Sequence, residues 1–300
     1  MTGVPQAFAS IVVIPQPSIK EGLAKPQEIL ALTFTEKAAA EMEERVDQIM
    51  PYGYSHIWIK TFHGFCETVL RQEALHIGLV PNFKLLSQAS SVQLFRKNLF
   101  KFTLDYFRPL GNPNKFISAL LQHISRLKDE DVLSQDYKNS EYPELVGLYK
   151  EWEELKHNEG VMDFGDLISE TLRLFRTRPK ILDKYKSKFK YVLVDEFQDT
   201  NYAQNLLINL LVNEQQNLTV VADDDQAIYQ WRGAAVGNVM QFKKTYPKTK
   251  LVILTQNYRS TQEILDRAHD LVSHNNPDRL EVQEKIDKKL ISVRNMPGDK

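Results

Sequence analysis

The sequence predicts an α/β fold, a parallel sheet whose chain is interrupted by an all-helical insertion. Three observations predict it. Compact apolar runs stand next to helical segments near both ends of the chain, which is the βαβ rhythm of a parallel sheet. Between them, from about Ser87 to Lys190, helical patterns dominate and no strong strand run interrupts. Finally, an acidic pair, Asp195 and Glu196, directly follows one apolar run, where open parallel sheets bind their ligands.

The elements follow in order. Residues Glu28 to Phe34 (EILALTF) are an uninterrupted apolar run, as expected of a strand buried on both faces. Ala39, Met42, Val46 and Ile49 then recur at spacings of three and four, opposite Glu41, Glu43, Glu44 and Arg45, and predict a helix with Thr35 as its N-cap. His56 to Thr61 alternates like a strand, and Phe62 begins the next helix. The helical block reads SSVQLFRKNLFKFTLDYF, KFISALLQHISRLK and ELVGLYKEWEELKHNEG. Within it, the basic stretch Arg173 to Lys190 reads as a solvated helix face. Strands are expected again at Lys190–Asp195, Leu218–Ala222 and Leu251–Leu254. After Asn276 the sequence turns polar and reads as a linker.

Composition bounds the function loosely. Three hundred residues, 42% of them apolar and 26% charged, suit two soluble domains or one with a large insertion. The 38 basic and 39 acidic residues nearly cancel, so no global basic signature of nucleic-acid binding exists, although a local basic groove is compatible with this balance. A single cysteine, Cys66, permits no internal disulfide and points to a reducing, cytoplasmic setting. The apolar run Ala7 to Ile14 is too short to span a bilayer and has no basic residue ahead of it, so neither a membrane span nor a secretory signal is expected.

The chemistry concentrates in VLVDEFQDT, Val192 to Thr200. At the end of a strand, Asp195 can hold Mg²⁺ and Glu196 can deprotonate an attacking water. Acids dressing a helix N-terminus are the plainer explanation of such a pair taken alone. A metal-dependent nuclease built on Asp195, Glu196 and Asp199 is a third reading.

DEFQDT is followed by VVADDDQAIYQWRGA (Val220 to Ala235) and QNYRST (Gln256 to Thr261), and preceded by LALTFTEKAAAEMEERV (Leu30 to Val46) and TFHGFC (Thr61 to Cys66). With VMDFGDLI (Val161 to Ile168), these runs in this order resemble the UvrD/Rep/PcrA-type DNA helicases of superfamily one, from about Ile19 to the C-terminus. The resemblance implies a RecA-like, P-loop NTPase-type motor domain, divided here as 1–87 and 189–276 around a helical subdomain at 88–188. Residues 277–300 would then be the linker and the start of a second motor domain. The resemblance also implies ATP and Mg²⁺ as cofactors, single-stranded DNA as partner and 3′-to-5′ movement. Gln226 matches the glutamine that senses the γ-phosphate, Tyr258 the tyrosine that stacks on adenine, and Arg259 the arginine that reaches the γ-phosphate. Tyr229, Trp231, Arg232, Phe62, His63 and Phe34 match positions lining the single-strand track, where aromatic faces stack on bases of any sequence. For Trp231 a place in the core, and for Phe34 the end of a buried strand, are the competing explanations.

Two departures from the family pattern stand out. The loop G-x-x-x-x-G-K-[ST], expected within roughly the first ten residues, is replaced by MTGVPQAFAS, and no Gly-Lys pair occurs in the sequence. Pro15 and Pro17 interrupt the helix that should follow it. Glu36 stands where the family usually has asparagine. The chain is therefore expected to be a motor-domain fragment inactive alone, from a truncated or mis-assembled gene start, or else a non-hydrolysing single-strand binder.

Overall fold

The structure, a computed structural model, describes residues 24–49, 57–227 and 236–294. Strand β1 (Ile29–Thr33) buries all five residues, as its unbroken apolar character requires. Helix α1 (Glu36–Ile49) starts on Thr35, whose Oγ1 accepts from the Ala38 amide at 3.1 Å. Strand β2 (Trp58–Thr61) runs directly into α2 (Phe62–Glu73), capped by Thr61 Oγ1 accepting from the Gly64 amide at 3.0 Å. There follow β3 (Lys84–Leu85), α3 (Gln88–Asn98), α4 (Ile117–Asp129), α5 (Pro143–Glu159), β4 (Val161–Met162), α6 (Phe164–Thr177) and α7 (Pro179–Lys188). The chain continues as β5 (Tyr191–Val194), α8 (Tyr202–Leu211), β6 (Leu218–Val220), α9 (Val236–Thr245), β7 (Gln256–Asn257), α10 (Gln262–Val272), α11 (Leu280–Gln283) and β8 (Ile291–Ser292).

The chain divides into two compact units. The first comprises Met1–Ile59, Phe189–Thr200 and Gln215–Lys300. Its main sheet has the order β2-β1-β5-β6, with β5 parallel to both β1 and β6. The register sets Leu32 beside Val194 and Val194 beside Val220. Ile29, Ala31 and Leu193 pack with Ala39 and Met42 of α1, the apolar face expected of that helix.

The second unit comprises Lys60–Lys188 and Asn201–Glu214 and is almost wholly helical. Its core gathers around Trp152, whose ring lies 5.4 Å from Phe95 and 6.3 Å from Phe102. Helix α5 ends at Gly160, in the left-handed region at φ +62°, where a side chain would be strained. The expectation of an uninterrupted helical block needs one amendment. Strands β3 and β4 form a two-residue parallel pair, Lys84 beside Val161 and Leu85 beside Met162, too short to show as an apolar run.

A larger correction concerns Leu251–Leu254, expected to be a strand. The run has no regular secondary structure, and its four side chains are 39–66% exposed. An apolar run becomes a strand only when a neighbouring edge offers hydrogen-bond partners, and none of the described strands pairs with it. Pairing begins two residues later, where β7 joins β8.

Candidate functional site

Strand β5 and the turn after it position the acidic pair. The sheet ladder continues past β5, since the Asp195 amide donates to Leu32 O at 2.9 Å and the Phe197 amide to Val221 O at 2.9 Å. Between them, Glu196 takes the left-handed conformation, φ +50° and ψ +44°. A non-glycine residue held there costs on the order of 1–3 kcal/mol and is kept only where its surroundings over-determine it. Here they do. Phe197 is buried and meets the Phe242 ring edge-on at 5.5 Å, while Asn238 Nδ2 donates to both Thr200 O (3.1 Å) and Thr200 Oγ1 (3.2 Å).

Asp195 is 1% exposed, and among the described residues neither carboxylate oxygen has a hydrogen-bond partner. Burial pushes its carboxyl up to about 7 and the Glu196 carboxylate adds to the rise, with the Glu196 amide offsetting only part. One position beyond the last paired residue of β1 sits Thr33, fully buried, whose Oγ1 also has no partner among the described residues. Buried polar atoms are nearly always bonded, so two such residues at the carboxyl ends of adjacent parallel strands mark a place prepared for something else. An unpaired buried carboxylate beside a hydroxyl suits a hard cation with its bound water.

A hydrogen-bond chain leads on from Glu196. Gln198, itself buried, donates through Nε2 to Glu196 Oε2 at 2.6 Å and accepts at Oε1 from the Asp223 amide at 3.0 Å. Gln226 Nε2 then donates to Asp223 Oδ2 at 2.7 Å. The candidate base and the candidate phosphate sensor are thus joined through Gln198 and Asp223. Gln198, Asp223 and Thr33 lie inside DEFQDT, VVADDDQAIYQWRGA and LALTFTEKAAAEMEERV, but no pattern along the chain singles them out, since their partners are set by the fold.

The acids around Gln226 are tied down by residues distant in sequence. Lys288 Nζ lies 3.0, 2.5 and 2.9 Å from carboxylate oxygens of Asp223, Asp224 and Asp225. Arg279 grips Asp225 through Nε at 2.6 Å and Nη2 at 2.8 Å. Burial alone would raise the Asp225 carboxyl, but these cations hold it below the usual carboxylate range. Their neutralisation disfavours a metal at this cluster. The same holds in the second unit, where Lys128 and Lys156 neutralise Glu153, Asp163 and Asp166.

The remaining candidates are more scattered. Tyr258 and Arg259 are exposed in the turn after β7; Tyr258 OH donates to Gln256 Oε1 at 2.7 Å, and the Arg259 amide to Asn257 Oδ1 at 2.9 Å. Among the described residues, no hydrogen bond or ion pair joins their side chains to Asp195 or Glu196. Phe34 is half-buried at the end of β1. In the second unit, His63 is half-buried with its ring 5.6 Å from Phe164, whereas Phe62 is buried. Tyr229, Trp231 and Arg232 lie outside the described residues, as does the stretch where the glycine-lysine loop was expected. Cys66 is buried, and its thiol is pushed up to about 12, so it is chemically quiet. No helix of the described residues is long and apolar enough to cross a membrane.

Residues 16–247 match the model of the UvrD/REP helicase N-terminal domain; Tyr258 and Arg259 lie beyond that span. The chain is 40% identical over 255 residues to the ATP-dependent DNA helicase PcrA of Bacillus subtilis, covering 83% of this chain and 34% of that protein. Against PcrA of Staphylococcus epidermidis the identity is 39% over 251 residues, again 83% of this chain and 34% of the relative. Against PcrA of Leuconostoc citreum it is 39% over 272 residues, 88% and 34%. The chain spans about a third of the length of these relatives.

Proposed function

The chain belongs to the UvrD/REP helicase N-terminal domain family, and from that premise we propose that it is the first motor domain of an ATP-driven, 3′-to-5′ DNA helicase, working in the cytoplasm on single-stranded DNA. The observation that carries this reading is the Asp195–Glu196 pair at the carboxyl end of β5, with Asp195 buried and unpaired and Glu196 held in a strained turn. Asp195 would hold Mg²⁺, and the buried Thr33 hydroxyl on the neighbouring strand is available to the same site. Magnesium supplies neutralisation of the charge that develops on the transferred phosphoryl group. Glu196 would take the proton of the attacking water, and the Gln198 amide orients its carboxylate for that role. Gln226 would report the terminal phosphate, and the Gln198–Asp223 link gives it a route to the base. Tyr258 would stack on the adenine and Arg259 would meet the γ-phosphate, as a planar, permanently charged fork does well. Phe34, His63, Tyr229, Trp231 and Arg232 would face the DNA, and the buried Phe62 would support the track from within its own unit. The domain division follows: motor parts at 1–87 and 189–276, a helical insertion at 88–188, and from 277 the way into a second motor domain.

One observation favours a second reading, a single-strand DNA-binding module that does not hydrolyse ATP: these 300 residues contain no G-x-x-x-x-G-K-[ST] sequence. Without the amides and lysine of that loop, phosphate stabilisation is largely lost. Two measurements test the pair of readings. Labelled oligothymidine should bind the chain, and Trp231→Ala should weaken binding by about 1–3 kcal/mol; an indifferent Trp231→Ala variant overturns the DNA track. Turnover of ATP by the 300-residue chain should be negligible even with single-stranded DNA. Robust turnover abolished by Glu196→Gln would refute the binding-module reading.

A further inference from the structure

We propose that the second unit carries its own contact for single-stranded nucleic acid, on the surface between α3 and α4, where Phe100 and Tyr106 stack on unpaired bases and the surrounding cations meet the phosphates. The proposal rests on the reading above only for the choice of probe.

The segment from Arg96 to Phe116 holds five basic residues, Arg96, Lys97, Lys101, Arg108 and Lys115, against one acid, Asp105, in a chain whose net charge is −1. Among these cations stand large side chains that the fold leaves uncovered: Phe100 is 77% exposed, Tyr106 61% and Leu110 fully exposed. Isolated exposed apolar residues need no explanation, but aromatic rings interleaved with fixed cations do. Lys97, Phe100 and Lys101 follow one another at helical spacing on the last turn of α3 and the short 3₁₀ turn after it. The Arg108 guanidinium lies 5.4 Å from the Phe100 ring. It is held there because Nη1 donates to Leu99 O at 3.3 Å and to Phe102 O at 3.1 Å.

The second ring is equally well prepared. Tyr106 stacks on Phe116 with the planes 19° apart and centroids 6.1 Å apart, and Lys115 Nζ sits 4.8 Å from the Phe116 ring. Tyr106, Arg108 and Tyr142 line a cleft of about 560 Å³ that Asp105, Glu141 and Glu144 also line, so the bases rather than the phosphates would enter it. Two of the nearby acids are occupied by the backbone that shapes it: Glu144 accepts from the Asp105 amide at 2.7 Å, and Glu151 from the Thr103 amide at 2.9 Å and the Thr103 hydroxyl at 2.7 Å. The rings are thus presented on an anchored loop, so little side-chain order remains to be lost on binding. Stacking faces beside lysines and arginines fit a flexible polyanion with exposed bases, whereas a protein partner would leave these cations to be desolvated.

The test uses the full chain and labelled oligothymidine carrying iododeoxyuridine, which photocrosslinks to aromatic side chains. The expected crosslinks fall on Phe100 or Tyr106 as well as on residues 228–235. Phe100→Ala with Tyr106→Ala should weaken binding about fivefold or more, with an unchanged urea midpoint as the folding control. Lys97→Gln with Lys101→Gln should lower the slope of log affinity against log salt by about 0.7 for each phosphate no longer neutralised. Because the first track is probed by Trp231→Ala, the two readings separate. Loss on Trp231→Ala with none on Phe100→Ala/Tyr106→Ala overturns this inference and leaves the first track standing. The reverse pattern upholds this inference alone. Crosslinks confined to residues 228–235, absence of any binding, or rings whose removal abolishes only self-association in sedimentation would each overturn it.

Discussion

Asp166 in the second unit and Asp195 in the first are both buried carboxyls, and their surroundings differ. Asp166 receives Lys128 Nζ at 2.5 Å, Lys156 Nζ at 2.5 Å and the Asp163 amide at 2.8 Å. Both lysines are themselves buried, and burial would push the Lys128 ammonium down were it not outweighed by Asp163, Asp166 and Glu153, which hold it raised. Asp195 has none of this. Its burial is offset only by a nearby amide. Both carboxyls are pushed up to about 7, Asp166 by burial and by Asp163 and Glu153 against its two lysines, so the difference between them lies in their hydrogen-bond partners among the described residues. A saturated buried charge is architecture, locking α4, α5 and α6 together through one ionic knot. A bare one is a cost that a bound cation would offset under the function proposed above.

The largest expected effect breaks the knot. Lys156→Met removes one of two cations and leaves Asp163 and Asp166 underneutralised in the interior, so stability should fall by about 3–5 kcal/mol. Urea unfolding at neutral pH reads this, and a loss below about 1 kcal/mol would mean that water already reaches the cluster.

Asp195→Asn should do the opposite. At pH 8 the wild-type carboxylate is ionised without partners, and the amide removes that charge, so stability should rise by about 1–2 kcal/mol. The gap should narrow as pH falls and close only below about 3.8, where the carboxyl is protonated in the folded and unfolded chain alike. A destabilised Asp195→Asn variant at pH 8 would show that the carboxylate has a partner after all.

The same comparison predicts a pH dependence. With a folded-state carboxyl near 7 and an ordinary unfolded one near 3.8, the folded chain binds the extra proton between these values. Stability therefore falls as pH rises through that window and levels off above about 7. Asp129, pushed up to about 7 by burial and by Glu130 despite the hydrogen bond from Asn201 Nδ2 at 2.7 Å, contributes with the same sign. Asp195→Asn should flatten the slope between pH 5 and 8, and adding Asp129→Asn should flatten it further. A slope unchanged in the double variant would assign the effect elsewhere.

The smallest effect separates pairing from burial. Glu28 and Lys190 form an ion pair at 2.8 Å near the surface, with the lysine side chain 46% exposed. Lys190→Ala should cost at most about 1 kcal/mol, and less in high salt. A loss as large as that of Lys156→Met would erase the distinction between saturated buried charges and exposed pairs.

Legibility in the sequence followed the range of the interactions. The buried strands β1 and β5, the half-buried β6, the apolar face of α1 and the cap Thr35 were all readable, because periodicity and capping act within a few residues. So was the arrival of Asp195 and Glu196 at the end of β5. Leu251–Leu254 misled because its composition suits a strand while pairing depends on a partner edge far away in the chain. Residues 277–294, read as a linker, lay Arg279 and Lys288 onto Asp223–Asp225 across more than 50 positions, which no local pattern encodes.

The sequence by itself determined the alternation of strand and helix, the position of the acidic pair at a strand end, and the family to which its ordered motifs belong. These depend on side-chain spacing and residue type along a single stretch of chain. Only the tertiary structure decided that Asp195 stays bare while Asp166 is saturated, that Gln198 and Asp223 join Glu196 to Gln226, and that Phe100 and Tyr106 are left uncovered. Burial and hydrogen-bond partnership are properties of neighbours in space. A carboxylate acquires its charge state from whichever groups the fold brings within a few ångströms of it.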